Sequence, residues 1–155
     1  MSWPALTRDQ RGRPADVGVV FQGPSLLDDL DVIENVSLPM LLEGVSAADA
    51  DRRARVALTD VGIVELTDRL PEDLSSGQAQ RVAVARVLAA RPRLIVADEP
   101  TGRLDRQNGD RVITALLAAA DSLGAAVIIA THDAAIAARL PTHWSMRDGR
   151  LDCAS

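Results

Sequence analysis

No lysine occurs anywhere in the 155 residues; all 17 basic side chains other than histidine are arginines. A phosphate-gripping loop built on glycines and a lysine is therefore excluded from this chain. Aromatic residues make up only 2% of the sequence, so the interior must be assembled from Ala, Val, Leu and Ile. That composition suits buried parallel strands and close-packed helices. The single cysteine, Cys153, has no partner in the chain, which excludes an internal disulfide framework and permits a reducing compartment. Positive charge is not gathered either. The formal net charge is -5, and without a basic stripe a nucleic-acid surface is not expected. Asp121, Gly124, His132 and Asp133 break the most apolar region well before the roughly 20 residues a membrane span requires. Near the start, Arg8, Arg11 and Arg13 lead to Asp16 rather than to an apolar core, unlike a secretory signal.

What is present can fill one core, with 47% of residues hydrophobic. Three apolar runs stand out: Val17 to Phe21, Leu94 to Ala97 and Ala126 to Ala130. None alternates with period two, so each reads as a central parallel strand covered on both faces by helices. Helical patterns lie between them. Ser46, with Asp49 three residues on, starts a helix that stops at Gly62; Ser76 to Ala90 is an Ala- and Val-rich, mostly buried helix ended by Pro92. From Asp105 to Leu123, Val112, Ile113, Leu116, Leu117 and Ala120 form one stripe, closed by Gly124. Asp148-Gly149 predicts a tight turn between two short terminal strands. The alternation implies an α/β fold with a mainly parallel sheet and right-handed crossovers.

Ligands of such sheets gather beyond the carboxyl ends of the strands. The residues there are Gln22, Asp98-Glu99 and Thr131-His132-Asp133. Adjacent carboxylates after an apolar strand suit a divalent cation and a reacting water, as in nucleotide hydrolases; the same string also suits a strand that ends in a solvated acidic loop. His132 can donate a hydrogen bond near neutral pH, although an isolated histidine is more often structural, and Gln22 alone is an ordinary loop residue. Leu74-Ser75-Ser76-Gly77-Gln78 starts a helix with a serine cap and a glycine in the first turn. It reads either as an anion site at the positive end of a helix dipole or as an ordinary capped helix.

In order and spacing these strings resemble the ATP-hydrolysing subunit of ABC transporters. Leu74 to Arg86 is similar to the signature motif and its helix, Leu94 to Pro100 to the Walker B strand with its catalytic glutamate, and Gly102 to Asp105 to the D-loop. Thr131-His132-Asp133 resembles the H-loop and Val20-Phe21-Gln22 the Q-loop. The likeness runs from about Leu6 to Leu151. It implies a three-layer, P-loop NTPase-like core with a helical signature subdomain, here lacking the N-terminal strands and the P-loop. Residues 23–92 would hold the Q-loop and helical part, and 93–155 the Walker B, D-loop and H-loop part. The implied cofactors are ATP and magnesium. Asp98 would hold the metal, with Gln22 sensing it, while Glu99 and His132 would be catalytic, polarising water and contacting the γ-phosphate. Ser75, Ser76, Gly77 and Gln78 would close in trans over ATP held by a second subunit of a head-to-tail dimer, with Asp105 at the seam. A transmembrane permease would hold the chain at the inner face of the membrane. Val32 to Val36, with Asp98 to Gly102 and Thr131 to Asp133, is most similar to the lipoprotein-release and macrolide-export branch.

Two departures carry expectations. The stretch before Val17 resembles the family's segment after the lysine loop, so poor ATP binding, negligible hydrolysis and exposed apolar surface on the sheet are expected of this chain alone. Ser76 stands where the family usually has glycine, a mild departure that leaves Ser75 and Gly77 in place. Besides an export ATPase subunit, the pattern is compatible with a non-catalytic module that donates its signature motif to a partner ATPase.

Overall fold

In the computed structural model, residues 16–148 and 150–153 are described. The three apolar runs form strands β1 (Val17–Val20), β2 (Leu94–Asp98) and β3 (Ala126–Ala130), which pair in parallel in the order β1-β2-β3. Val20 lies opposite Ala97, and Ala97 opposite Ile129. All three carboxyl ends therefore emerge at one edge, as expected of an α/β sheet.

The helices are α1 (Val32–Leu42), α2 (Ala47–Asp60), α3 (Ser76–Ala89), α4 (Arg106–Leu123) and α5 (Ala134–Ala137), with 3-10 turns at Val64–Leu66 and Pro71–Asp73; α3 packs on β1 and α4 on β3, while α1 and α2 pack on α3. The Ser46 hydroxyl accepts from the Asp49 amide at 3.2 Å, and Gly62 leaves α2 at φ 67°. Gly124 ends α4 in the left-handed region at φ 65°, a conformation open to glycine without a Cβ penalty. The buried stripe of α4 contains Val112, Ile113, Leu116, Ala119 and Ala120; Leu117 is only half-buried and Ala119 takes its expected place.

Helix α1 was not legible from the pattern because Pro39 interrupts it. Its start is secured by a capping box, with Asp31 accepting from the Glu34 amide at 2.8 Å and Glu34 accepting from the Asp31 amide at 3.0 Å. Burial of Val32, Val36 and Met40 holds the helix despite the hydrogen bond that proline removes. At the other end of the chain, β4 (Trp144–Arg147) and β5 (Arg150–Cys153) form the expected antiparallel hairpin, with Asp148 at φ 48° in the connection. Gly149 and the Cys153 side chain lie outside what is described.

Nine of the fourteen residues of α3 are buried, since it is wedged among α1, α2, α4 and β1. Gly18 permits that approach to β1, because a Cβ there would overlap the Val87 side chain and lie 3.2 Å from Pro92 Cγ. The strands, however, are not covered on both faces. Val20, Ile95 and Ala97 are buried on the helical side, whereas Val17, Val19 and Ile128 on the other are 47%, 42% and 41% exposed. Only β2 is central among the described strands. Unbroken apolar runs read as doubly covered, but the described helices pack against one face, so the anticipated uncovered apolar surface lies on the sheet's other face.

Candidate functional site

The turn after β2 sets the chemistry. Glu99 adopts φ 43°, a left-handed conformation costly for a non-glycine residue. Its amide donates to the Ala130 carbonyl at 2.9 Å, and its carbonyl accepts from the Gly102 amide at 3.0 Å. Locked this way, the carboxylate reaches the end of β3. Oε1 accepts from the His132 backbone amide at 3.0 Å and lies 2.7 Å from His132 Nδ1; Oε2 is 3.4 Å from the Thr131 hydroxyl that donates to it. Thr131 Oγ1 in turn accepts from the Asp133 amide at 3.1 Å.

The hydrogen bond to Glu99, and then its charge, raise the His132 pKa above the usual imidazole value. With Nδ1 engaged as donor, Nε2 faces outward, and the imidazole side chain is 83% exposed. When the imidazole is protonated, a form the Glu99 contact favours, the pair offers an accessible Nε2–H for an anion; Oε2, held only by a long hydrogen bond, keeps lone pairs free for a water.

Asp98 is exposed beside this pair, at the end of β2. Gln22, one strand over, packs its amide against Gly102, where an added Cβ would stand 2.7 Å from Gln22 Nε2. Among the described residues no three His, Cys, Asp or Glu side chains cluster as a closed metal cage. The exposed Asp98 carboxylate, with Gln22 following the neighbouring strand, nevertheless suits magnesium, which keeps most of its waters and takes one or two carboxylates plus phosphate oxygens.

The remaining expected residues form a second group. Ser75 caps α3: its hydroxyl accepts from the Gln78 amide at 3.3 Å, and the Gln78 side chain accepts from the Ser75 amide at 2.8 Å. The capping box therefore occupies Gln78 at both its amide and its side chain. Ser76 is exposed and Gly77 buried. Gly77 lies against Asn108 of α4, whose Cγ, Oδ1 and Cβ would be 2.9, 3.0 and 3.1 Å from an added Cβ. Asn108 donates twice to Asp105, from its backbone at 2.9 Å and its side chain at 2.6 Å, and these bonds lower the Asp105 pKa. Among the described residues no hydrogen bond joins the two groups directly. The segment from Gly102 to Asp105 spans them, touching Gln22 at one end and holding Asn108 at the other.

Three comparisons bear on this arrangement. The family profile described as ABC transporter matches residues 4–102. The chain belongs to the ABC transporter family. It is 44% identical over 147 residues to the lipoprotein-releasing system ATP-binding protein LolD of Gluconobacter oxydans, covering 95% of this chain and 61% of that protein. LolD of Shewanella sp. strain MR-4 is 38% identical over 144 residues, covering 93% of this chain and 62% of its own length. This ABC chain thus spans just over three fifths of the length of those curated relatives. Its fold matches that of the ATP-binding cassette MJ0796, solved as a dimer in a post-hydrolysis state bound to ADP and Pi, with TM-score 0.78 and 32% identity over 96% of this chain and 68% of that one. The P-loop NTPase-like α/β reading is borne out by that likeness.

Sequence reasoning missed four polar residues of this ABC core. Gln80 is 2% exposed and donates to the Phe21 carbonyl at 2.9 Å. Arg86 donates to the Ser25 and Pro24 carbonyls at 2.9 and 3.1 Å. Asn35, 1% exposed, accepts from the Leu27 amide and donates to the Leu27, Leu30 and Asp31 carbonyls. Asn108 is the fourth. The available signal was a glutamine inside an otherwise Ala- and Val-rich helix, since a buried polar side chain needs a partner.

Proposed function

We propose that this chain is part of the ATP-binding and ATP-hydrolysing subunit of an ABC transporter that drives export or lipoprotein release. The observation carrying the reading is the Glu99 and His132 pair beside Asp98 and Gln22 at one edge of a parallel sheet. Glu99 Oε2 orients a water and takes its proton. His132 in its protonated form, held through Nδ1 by Oε1, presents Nε2–H to the γ-phosphate charge. Magnesium, held by Asp98 with help from Gln22, supplies neutralisation of the phosphate oxygens when bound. The α3 tip, with the Ser76 and Gly77 amides at the positive end of the helix, serves ATP held by a second subunit, and Asp105 lies at that seam. The two relatives' names support lipoprotein release. Among the described residues no helix is long and apolar enough to cross a membrane, in keeping with attachment through a permease at the inner membrane face.

Because the chain contains no lysine, it binds ATP weakly and hydrolyses it negligibly by itself. This favours a second reading, in which it donates only its intact, capped α3 tip to a partner ATPase. Both are tested by mixing the chain with an ABC subunit that carries the lysine loop and measuring phosphate release from magnesium-ATP. If Glu99→Gln removes the stimulation, the chain's own catalytic carboxylate is at work. If Glu99→Gln is silent and Ser75→Ala removes it, the donor reading holds. Micromolar ATP affinity of the chain alone refutes the weak-binding claim, and no stimulation by the wild-type chain refutes both readings.

A further inference from the structure

Helices α2 and α4 both end on a glycine in the left-handed region, Gly62 at φ 67° and Gly124 at φ 65°. Helix α3 ends on Arg91 at φ 55°, whose amide donates to the Leu88 carbonyl at 2.9 Å. A side chain in this conformation carries a steric cost that glycine avoids, so an arginine there points to a use for its guanidinium. Arg53 on α2 departs from its neighbours in a different way. Arg52 pairs with Asp49 at 2.6 Å and Arg55 with Asp51 at 2.9 Å. Arg53 has no ion pair among the described residues, and its Nε is buried without a hydrogen-bond partner. Buried donors in that state are rare.

Both arginines line one cavity of about 360 Å³, bounded by the flank of α2 and the last turns of α3 and α4. Ala57, Leu88 and Leu123 contribute apolar wall, and Ser122 and Asp60 the other polar side chains. The cavity sits at the end of α3 where Val87 meets Gly18 and β1 begins, away from the strand-end edge that carries Glu99 and His132. We propose that this cavity is a binding site for a small organic carboxylate with a short hydrocarbon tail. The Nε–H of Arg53 and the planar fork of Arg91 match the two oxygens of a carboxylate, and the alanine and leucine walls take the tail. Asp60 offsets one of the two guanidinium charges, and α3 and α4 turn the negative ends of their dipoles toward the cavity. That balance favours a monoanion over a phosphate dianion. A volume near the lower bound for ligand pockets keeps the occupant small.

Sodium hexanoate is the probe, titrated into the full chain at constant ionic strength and followed by residue-resolved amide NMR. Saturable shifts are expected at Leu88, Ala89, Arg91 and Leu123, with the Glu99 and His132 amides unmoved. Hexanoate should bind about tenfold or more tightly than acetate, which lacks the tail, and than hexylammonium, which reverses the charge. Arg91→Gly supplies the residue that the backbone conformation prefers and stays folded, so its expected loss of about tenfold in affinity reports the side chain rather than the fold. Arg53→Met keeps the apolar stem without the donor and should lose a similar factor. No saturable shift at the cavity of the wild-type chain overturns the site. Equal binding of hexylammonium, or an affinity unchanged in both variants, overturns it as well. Inorganic phosphate saturating the same amides more tightly than hexanoate overturns the carboxylate assignment.

Discussion

Replacing Gly77 by alanine tests whether the α3 tip is set by its seam with α4. The new Cβ would meet Asn108 Cγ at 2.9 Å, Oδ1 at 3.0 Å and Cβ at 3.1 Å. Asn108 cannot swing away freely, because its side-chain amide donates to Asp105 at 2.6 Å and its backbone amide to the same carboxylate at 2.9 Å. Overpacking of this kind costs about 1–3 kcal/mol. Replacing a helical glycine by alanine returns about 0.5–1 kcal/mol, leaving a net loss of about 0–2.5 kcal/mol. Urea unfolding measures this directly, and thermal melting should fall by about 2–4 °C per kcal/mol for a chain of this size. In an Asn108→Ala background two of the three close contacts vanish, so Gly77→Ala should cost at least about 1 kcal/mol less there. Equal costs in the two backgrounds, or a stabilised Gly77→Ala, would refute the claim that the glycine exists for the seam.

Other outcomes follow from the same geometry. The pKa of His132 is raised by Glu99, so its stabilising contribution is complete below the unfolded value of about 6.5 and fades as pH rises through the folded midpoint. Proton NMR of the imidazole should place that midpoint above the ordinary value, with Glu99→Gln bringing it down; an ordinary midpoint in the wild type contradicts the pairing. Gly18→Ala drives a Cβ into Val87 and should destabilise by about 1–3 kcal/mol in denaturant unfolding, a neutral result showing that α3 and β1 can separate cheaply. Asn35→Leu abandons four hydrogen bonds in the loop before α1 and should cost about 2–3 kcal/mol, with a loss below experimental error pointing to a loop that holds without it.

Local chemistry made much of this molecule legible before any coordinates. Ser46 and Asp105 cap helices, Gly62 and Gly124 end them, and three apolar runs become strands, because each signal acts within a few residues of itself. The strand-end residues Gln22, Asp98, Glu99 and His132 could be named as one group for the same reason, since parallel pairing brings every carboxyl end to one edge. Tertiary structure alone decided which face of the sheet is open, that Pro39 sits inside a helix, and that Gln78 turns back on its own cap. It also assigned Gln80, Arg86 and Asn108 their partners. A glutamine whose acceptor is 59 residues away, or a glycine whose reason is a side chain on another helix, leaves no periodicity in the chain. Such roles exist only once packing has removed water and left each buried polar atom a single partner within reach.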